Sequence, residues 1–85
     1  MKIDFRAFIL FNMTINVAVA ETLRELRQKK GVSQEKLAEA IDSHQVYISE
    51  IENGKKIPSL SVIYKTAQFF NLSLSDFAAM IEEKL

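Results

Sequence analysis

The chain has 85 residues, 48% of them hydrophobic and 26% charged, the makings of one small globular domain and too little for a catalytic domain joined to a regulatory one. It contains no Cys and a single His, His44, which excludes a disulfide framework, a thiolate zinc site, a cysteine nucleophile and any site built on two imidazoles. Its formal charge is zero, so bulk charge alone gives no pull toward nucleic acid.

The local balance is only mildly uneven. Residues 24–56 carry Arg24, Arg27, Lys29, Lys30, Lys36, Lys55 and Lys56 against Glu25, Glu35, Glu39, Asp42, Glu50 and Glu52; residues 57–85 carry Lys65 and Lys84 against Asp76, Glu82 and Glu83. Any basic face must therefore be made by placement in three dimensions. Folding at this size buries only about 60–65% of the unfolded chain's surface, so a partner subunit would add stability.

Residues 1–15 read as an extension. Lys2 and Arg6 precede Ala7-Phe8-Ile9-Leu10-Phe11, and Ala18-Val19-Ala20 mimics a leader cleavage site. Asp4, Asn12, Thr14 and Asn16 spoil the mimicry, and cleavage there would remove Val17 and Val19, which the first helix needs. No run approaches the ~18 apolar residues of a membrane span, so a cytoplasmic chain is expected. Ile3, Phe5, Ala7, Ile9 and Phe11 alternate with Lys2, Asp4 and Arg6, the period of a half-buried strand. Such a strand would pair with its equivalent in a dimer or pack on the surface as a mobile extension; Met13 is an alternative start.

From residue 16 the period becomes helical, and residues 16–85 read as one all-α domain. A first helix over Val17–Lys30 faces inward through Val19, Leu23 and Leu26 and stops at Gly31. Ser33 caps a second, with Leu37, Ala38 and Ile41 inward. Ser43 is placed to cap a third, over His44–Glu52, with Val46 partly and Ile48 and Ile51 fully buried. Asn53-Gly54 ends it. A fourth runs from Ser59 to Phe70 on a Leu60, Ile63, Ala67, Phe70 stripe, and Ser73 with Asp76 forms a capping box for a fifth over Leu74–Lys84.

Gln34 to Ile51 holds the functional signal. A short helix, a tight turn and a second helix are joined by Ile41, Ile48 and Ile51, with Ala38 where two helices cross too closely for a larger side chain. This is the spacing of a helix-turn-helix unit, which projects the start of its second helix toward a major groove.

Ser33-Gln34-Glu35-Lys36-Leu37-Ala38, then Tyr47-Ile48-Ser49-Glu50-Ile51-Glu52-Asn53-Gly54-Lys55, then Pro58-Ser59-Leu60 resemble the phage repressor/Cro-type helix-turn-helix domain of the Xre family, from about Val17 to Phe77. The resemblance implies a five-helix, lambda-repressor-like DNA-binding bundle acting as a homodimer on a palindromic operator. It implies that Gln34 holds a phosphate and that His44, Gln45, Val46 and Glu50 face base edges. Gln45 is suited to adenine N6/N7 and Val46 to a thymine methyl. Asn53, Lys55 and Lys56 match the loop on the sugar-phosphate backbone, and Tyr47 is placed either to reach a phosphate or to cover the core. Arg27 and Glu52 match a structural salt bridge. The chain departs from the pattern at Asp42, where Gly is usual, and at Glu50, which would repel phosphate unless it accepts from cytosine N4 or serves to disfavour wrong sequences.

Leu74, Phe77, Ala78, Ile81 and Leu85 form a stripe to the end of the fifth helix, too long for one small subunit to hide, and are assigned to a twofold dimer interface. The leading expectation is a transcriptional regulator, a repressor or an activator by occupancy, on double-stranded DNA, with no cofactor, metal or catalytic group. The rival is an antitoxin-like interaction module binding a toxin or other protein partner on the same fold. Catalysis is the weakest reading, since no Ser/His/Asp set or glycine-rich phosphate loop is present.

Overall fold

A computed structural model describes residues 4–85, with residues 11–13 as backbone only. Five helices account for the described residues: α1 (Phe5–Lys30), α2 (Gln34–Ala40), α3 (Gln45–Glu52), α4 (Leu60–Phe69) and α5 (Leu74–Glu82).

α1 starts twelve residues before the helix read from the sequence, and the strand-like reading of residues 5–12 is overturned. A lone strand leaves its backbone groups unpaired, whereas lengthening an existing helix adds one hydrogen bond per residue without a new nucleation cost. Asp4 caps the start, its carboxylate accepting from the Arg6 N–H at 3.0 Å. Lys2 and Ile3 lie outside the described residues, as does the Phe11 side chain. α1 crosses the boundary drawn at residue 15 without a break, and Ile15 already packs on the core. Gly31 closes α1 at φ 64°, donating to the Arg27 and Gln28 carbonyls.

The other caps follow their chemistry. Ser33, Ser59 and Ser73 accept from the N–H groups of Lys36, Val62 and Asp76, and Asp76 returns the bond to complete the box. α3 differs from expectation: its N-cap is His44, not Ser43, and the imidazole makes no capping bond. The tight turn before it puts Asp42 at φ 57°, the left-handed region that Gly occupies without cost.

Val19, Leu23 and Leu26 of α1, Leu37 and Ala38 of α2, Ile41 at the α2 C-cap, Ile48 and Ile51 of α3, Ala67 and Phe70 at the α4 end, and Phe77 of α5 build the core. Thr22 and Thr66 are buried too, their hydroxyls donating to the Ala18 and Val62 carbonyls one turn back. Three expectations fail on burial. Val46 and Leu60 stand in solvent at 65% and 69% exposure, and Phe77 lies at 2% in the subunit's own core. On these short elements the apolar stripe is wider than the strip the neighbours can cover, so its edge residues face water.

Candidate nucleic-acid interface

The turn at Ile41-Asp42-Ser43-His44 lays α3 across α2, locked by Leu37, Ala38, Ile48 and Ile51. Because those apolar side chains occupy one flank of α3, the opposite flank faces out at its amino-terminal end. His44, Gln45 and Val46 are exposed there.

A chain of hydrogen bonds runs from this exposed end into the protein. Gln45 Nε2 donates to Gln34 Oε1 at 2.7 Å, and Gln34 Nε2 donates to Glu52 Oε1 at 3.1 Å. Glu52 is a buried carboxylate at 3% exposure and takes two further bonds from Arg27, at 2.7 and 2.9 Å. Arg27 also donates to the Val32 carbonyl at 2.9 Å. A carboxylate can only accept, so Gln34 must turn its NH2 toward Glu52 and its oxygen toward Gln45. The orientation of both amides follows from the one buried anion. Gln45 keeps its oxygen and one N–H directed outward, and Gln34 keeps one N–H.

The Arg27–Glu52 pair anchors α3 to α1. The hydrogen bond to Glu52 raises the Arg27 guanidinium above its ordinary value, partial burial opposes the rise, and the charge of Glu52 adds to it. Two anchors that sequence reasoning missed lie beside it. Arg24 donates to the Glu52 backbone carbonyl, and Asn16 Nδ2 donates to the Gly54 carbonyl at 3.4 Å. Arg24 satisfies a carbonyl that the end of α3 leaves without a partner, and Asn16 one in the loop that follows. Nothing in the period of α1 marks either residue, since each acts through polar reach and not through the apolar face.

The loop after α3 gathers the other predicted contacts. Asn53 donates to Ser49 Oγ at 3.4 Å and stays exposed, as does Lys55. Lys56 is engaged: its ammonium lies 3.5 Å from Glu50 and 5.9 Å from the centroid of the Tyr47 ring. Tyr47 is half-buried against the core. Glu50 therefore faces the surface with its charge partly balanced by Lys56. On the other side of α3, Glu35, Glu39 and Asp42 line a shallow groove with Ser43, His44 and Gln45, so carboxylates flank the exposed helix start.

Of the remaining stripe, Leu74 on α5 and Leu85 beyond its end are exposed at 37% and 55%, and Ala78 on α5 is exposed too. Ile81 packs partly on the core. Phe77 has no surface left to offer a partner and is removed from the interface set. Among the described residues, no group of three or more His, Asp or Glu is placed to hold a metal ion, and no helix is long and apolar enough to cross a membrane.

The helix-turn-helix family HTH_3 matches residues 23–77. An uncharacterised HTH-type transcriptional regulator of Archaeoglobus fulgidus is 38% identical over 63 residues, which is 74% of this chain and 90% of that protein. The control protein C.MunI of a Mycoplasma species is 35% identical over 71 residues, 82% of this chain and 96% of that one. The crystal structure of the restriction-modification controller protein C.AhdI from Aeromonas hydrophila superposes with a TM-score of 0.69 at 34% identity, covering 73% of this chain and 94% of that one.

Proposed function

The chain belongs to the helix-turn-helix family HTH_3, and from that premise we propose a sequence-specific transcriptional regulator that acts as a homodimer on a palindromic operator. The start of each α3 enters a major groove, and twofold symmetry sets the two half-sites one helical turn apart, about 34 Å.

The chain of bonds from Arg27 through Glu52 and Gln34 to Gln45 carries the reading. Gln45 is held as a pre-oriented amide whose free oxygen and N–H match adenine N6 and N7. His44 and Val46 flank it at the protruding end of α3, and Glu50, one turn farther along, offers an acceptor to cytosine N4. The spare N–H of Gln34 would take a phosphate oxygen, joined by Tyr47, Asn53, Lys55 and Lys56 on the backbone, where contacts fix register without reading sequence. The mechanism is occupancy: the bound dimer blocks or recruits polymerase, and no bond in the DNA changes. The exposed residues Leu74, Ala78 and Leu85, with the half-buried Ile81, would join the two subunits.

Selection from a randomised duplex pool tests the reading. A palindromic consensus, bound more weakly as salt rises from about 50 to about 300 mM, is the expected result. Enrichment of no sequence at any salt would refute it. In that case the antitoxin-like alternative gains, a reading favoured by the exposed apolar residues Phe5, Ile9 and Leu10 on α1; its mark is a tight, stoichiometric complex with a toxin or another protein chain.

A further inference from the structure

One surface lies outside the proposed DNA contacts. The first turns of α1 carry no core residue, and residues 4–10 are all exposed. Along one side of α1, Leu10 and Val17 lie 63% and 51% exposed, two turns apart, and with Thr14, Ala18, Glu21 and Lys84 they line an open cleft. Arg6 is one turn before Leu10 and Glu21 one turn after Val17, on the same helical face. Among the described residues, neither Arg6 nor Glu21 is held in an ion pair within the subunit.

These four positions are self-complementary. When two α1 helices pack antiparallel about a twofold axis between residues 13 and 14, each residue faces the one whose number brings the sum to 27. Leu10 then meets Val17 of the second copy, and Arg6 meets Glu21 of the second copy, each contact occurring twice. Two apolar pairs flanked by two opposite-charge pairs are what an isologous interface needs. A partner of unrelated sequence would have no reason to match a pattern that is symmetric about its own midpoint.

We propose that this face of α1 is a self-association surface whose occupant is the α1 of a second copy of the chain. It is independent of the DNA-binding reading and distinct from the α5 stripe. If α5 also pairs, four chains assemble through two kinds of twofold axis.

Sedimentation equilibrium of the full chain without DNA tests it, over a concentration series at low salt. Leu10→Glu changes an exposed position, keeps the fold by circular dichroism, and halves the mass of the assembly. Arg6→Glu and Glu21→Arg each weaken association by roughly tenfold, because each places two like-charge pairs across the axis. The double swap Arg6→Glu/Glu21→Arg restores it. The two positions are fifteen residues apart on one rigid helix and too distant to pair within a chain, so rescue reports a contact between copies. A wild-type mass unchanged by Leu10→Glu overturns the proposal, even if a dimer persists through α5. A double swap as weak as the single changes overturns it too.

Discussion

Gln45 and Gln34 face each other across the helix-turn-helix, Nε2 to Oε1 at 2.7 Å, and the direction of that bond is dictated from below by Glu52. A glutamine alone on a helix surface turns its amide freely and presents either end to a base. Held by Gln34, Gln45 presents oxygen and N–H in one arrangement, so the entropy of ordering it is spent before DNA arrives.

Gln45→Ala should weaken binding to the selected operator by about 1–3 kcal/mol while leaving random DNA nearly unchanged. Gln34→Ala should weaken both, since it removes the proposed phosphate donor and frees Gln45 to rotate. Fluorescence anisotropy on operator and scrambled duplexes separates the two patterns. Equal losses on both duplexes for Gln45→Ala would remove it from the set of base readers.

Arg27 and Glu52 concern stability. Glu52 has 3% of its side chain exposed, so Arg27→Met would strand a buried anion and leave the Val32 carbonyl without its donor. The expected loss is about 3 kcal/mol in urea unfolding. Arg27→Met with Glu52→Leu should recover much of it, because an apolar pair of similar volume removes the desolvation cost along with the attraction. Arg27 has its pKa raised in the folded state, so its share of stability is complete below an ordinary arginine's range and fades only in strongly alkaline solution. Unfolding free energy should therefore show no Arg27-linked decline up to about pH 10; a decline that Arg27→Met abolishes would contradict this.

The helix-turn-helix was legible because its constraints are local. Ser33, Ser59 and Ser73 cap where a side-chain oxygen is wanted, and Ile41, Ile48 and Ile51 repeat at the spacing a two-helix corner buries. Asp42 stands where the backbone turns left-handed, as its place in the turn implied. The amino terminus was misread because alternation of apolar residues states a period and not a partner; with no second strand to bond to, helix continuation wins. The exposure of Val46 and Leu60 depended on how far a neighbouring helix reaches, a tertiary quantity that no local pattern encodes. The Gln34–Gln45 bond and the Arg24 and Asn16 anchors join residues 11 to 38 positions apart, so they emerge only once α1, α2 and α3 are placed.

The proposed α5 interface is best probed where the subunit's own core is untouched. Ile81→Glu should separate subunits, but Ile81 also packs inward, so the change would weaken the fold as well. Ala78→Glu sits at an exposed position and should lower the assembly mass with little change in melting temperature. Operator affinity should then fall far more than on loss of any single phosphate contact, because one half-site holds alone. Unchanged mass by light scattering would dismiss α5 as the contact.

Lys55 and Lys56 are adjacent in sequence but differ in what they can give to DNA. Lys55 is exposed, whereas Lys56 is drawn toward Glu50 at 3.5 Å and lies over Tyr47. A phosphate contact by Lys55 releases a counterion outright; one by Lys56 must first compete with Glu50. Lys55→Ala should therefore reduce the slope of log K against log salt by about 0.9 per subunit, the full value for one phosphate, and Lys56→Ala by less. Glu50→Gln should free Lys56, strengthen binding to random DNA and narrow the margin for the operator, since in the proposed complex Glu50 repels phosphate and accepts from its base partner. Salt titrations of the three variants on operator and scrambled duplexes decide it: equal slope changes for the two lysines, with no gain on random DNA from Glu50→Gln, would mean that the Glu50–Lys56 pair opens without cost when DNA binds.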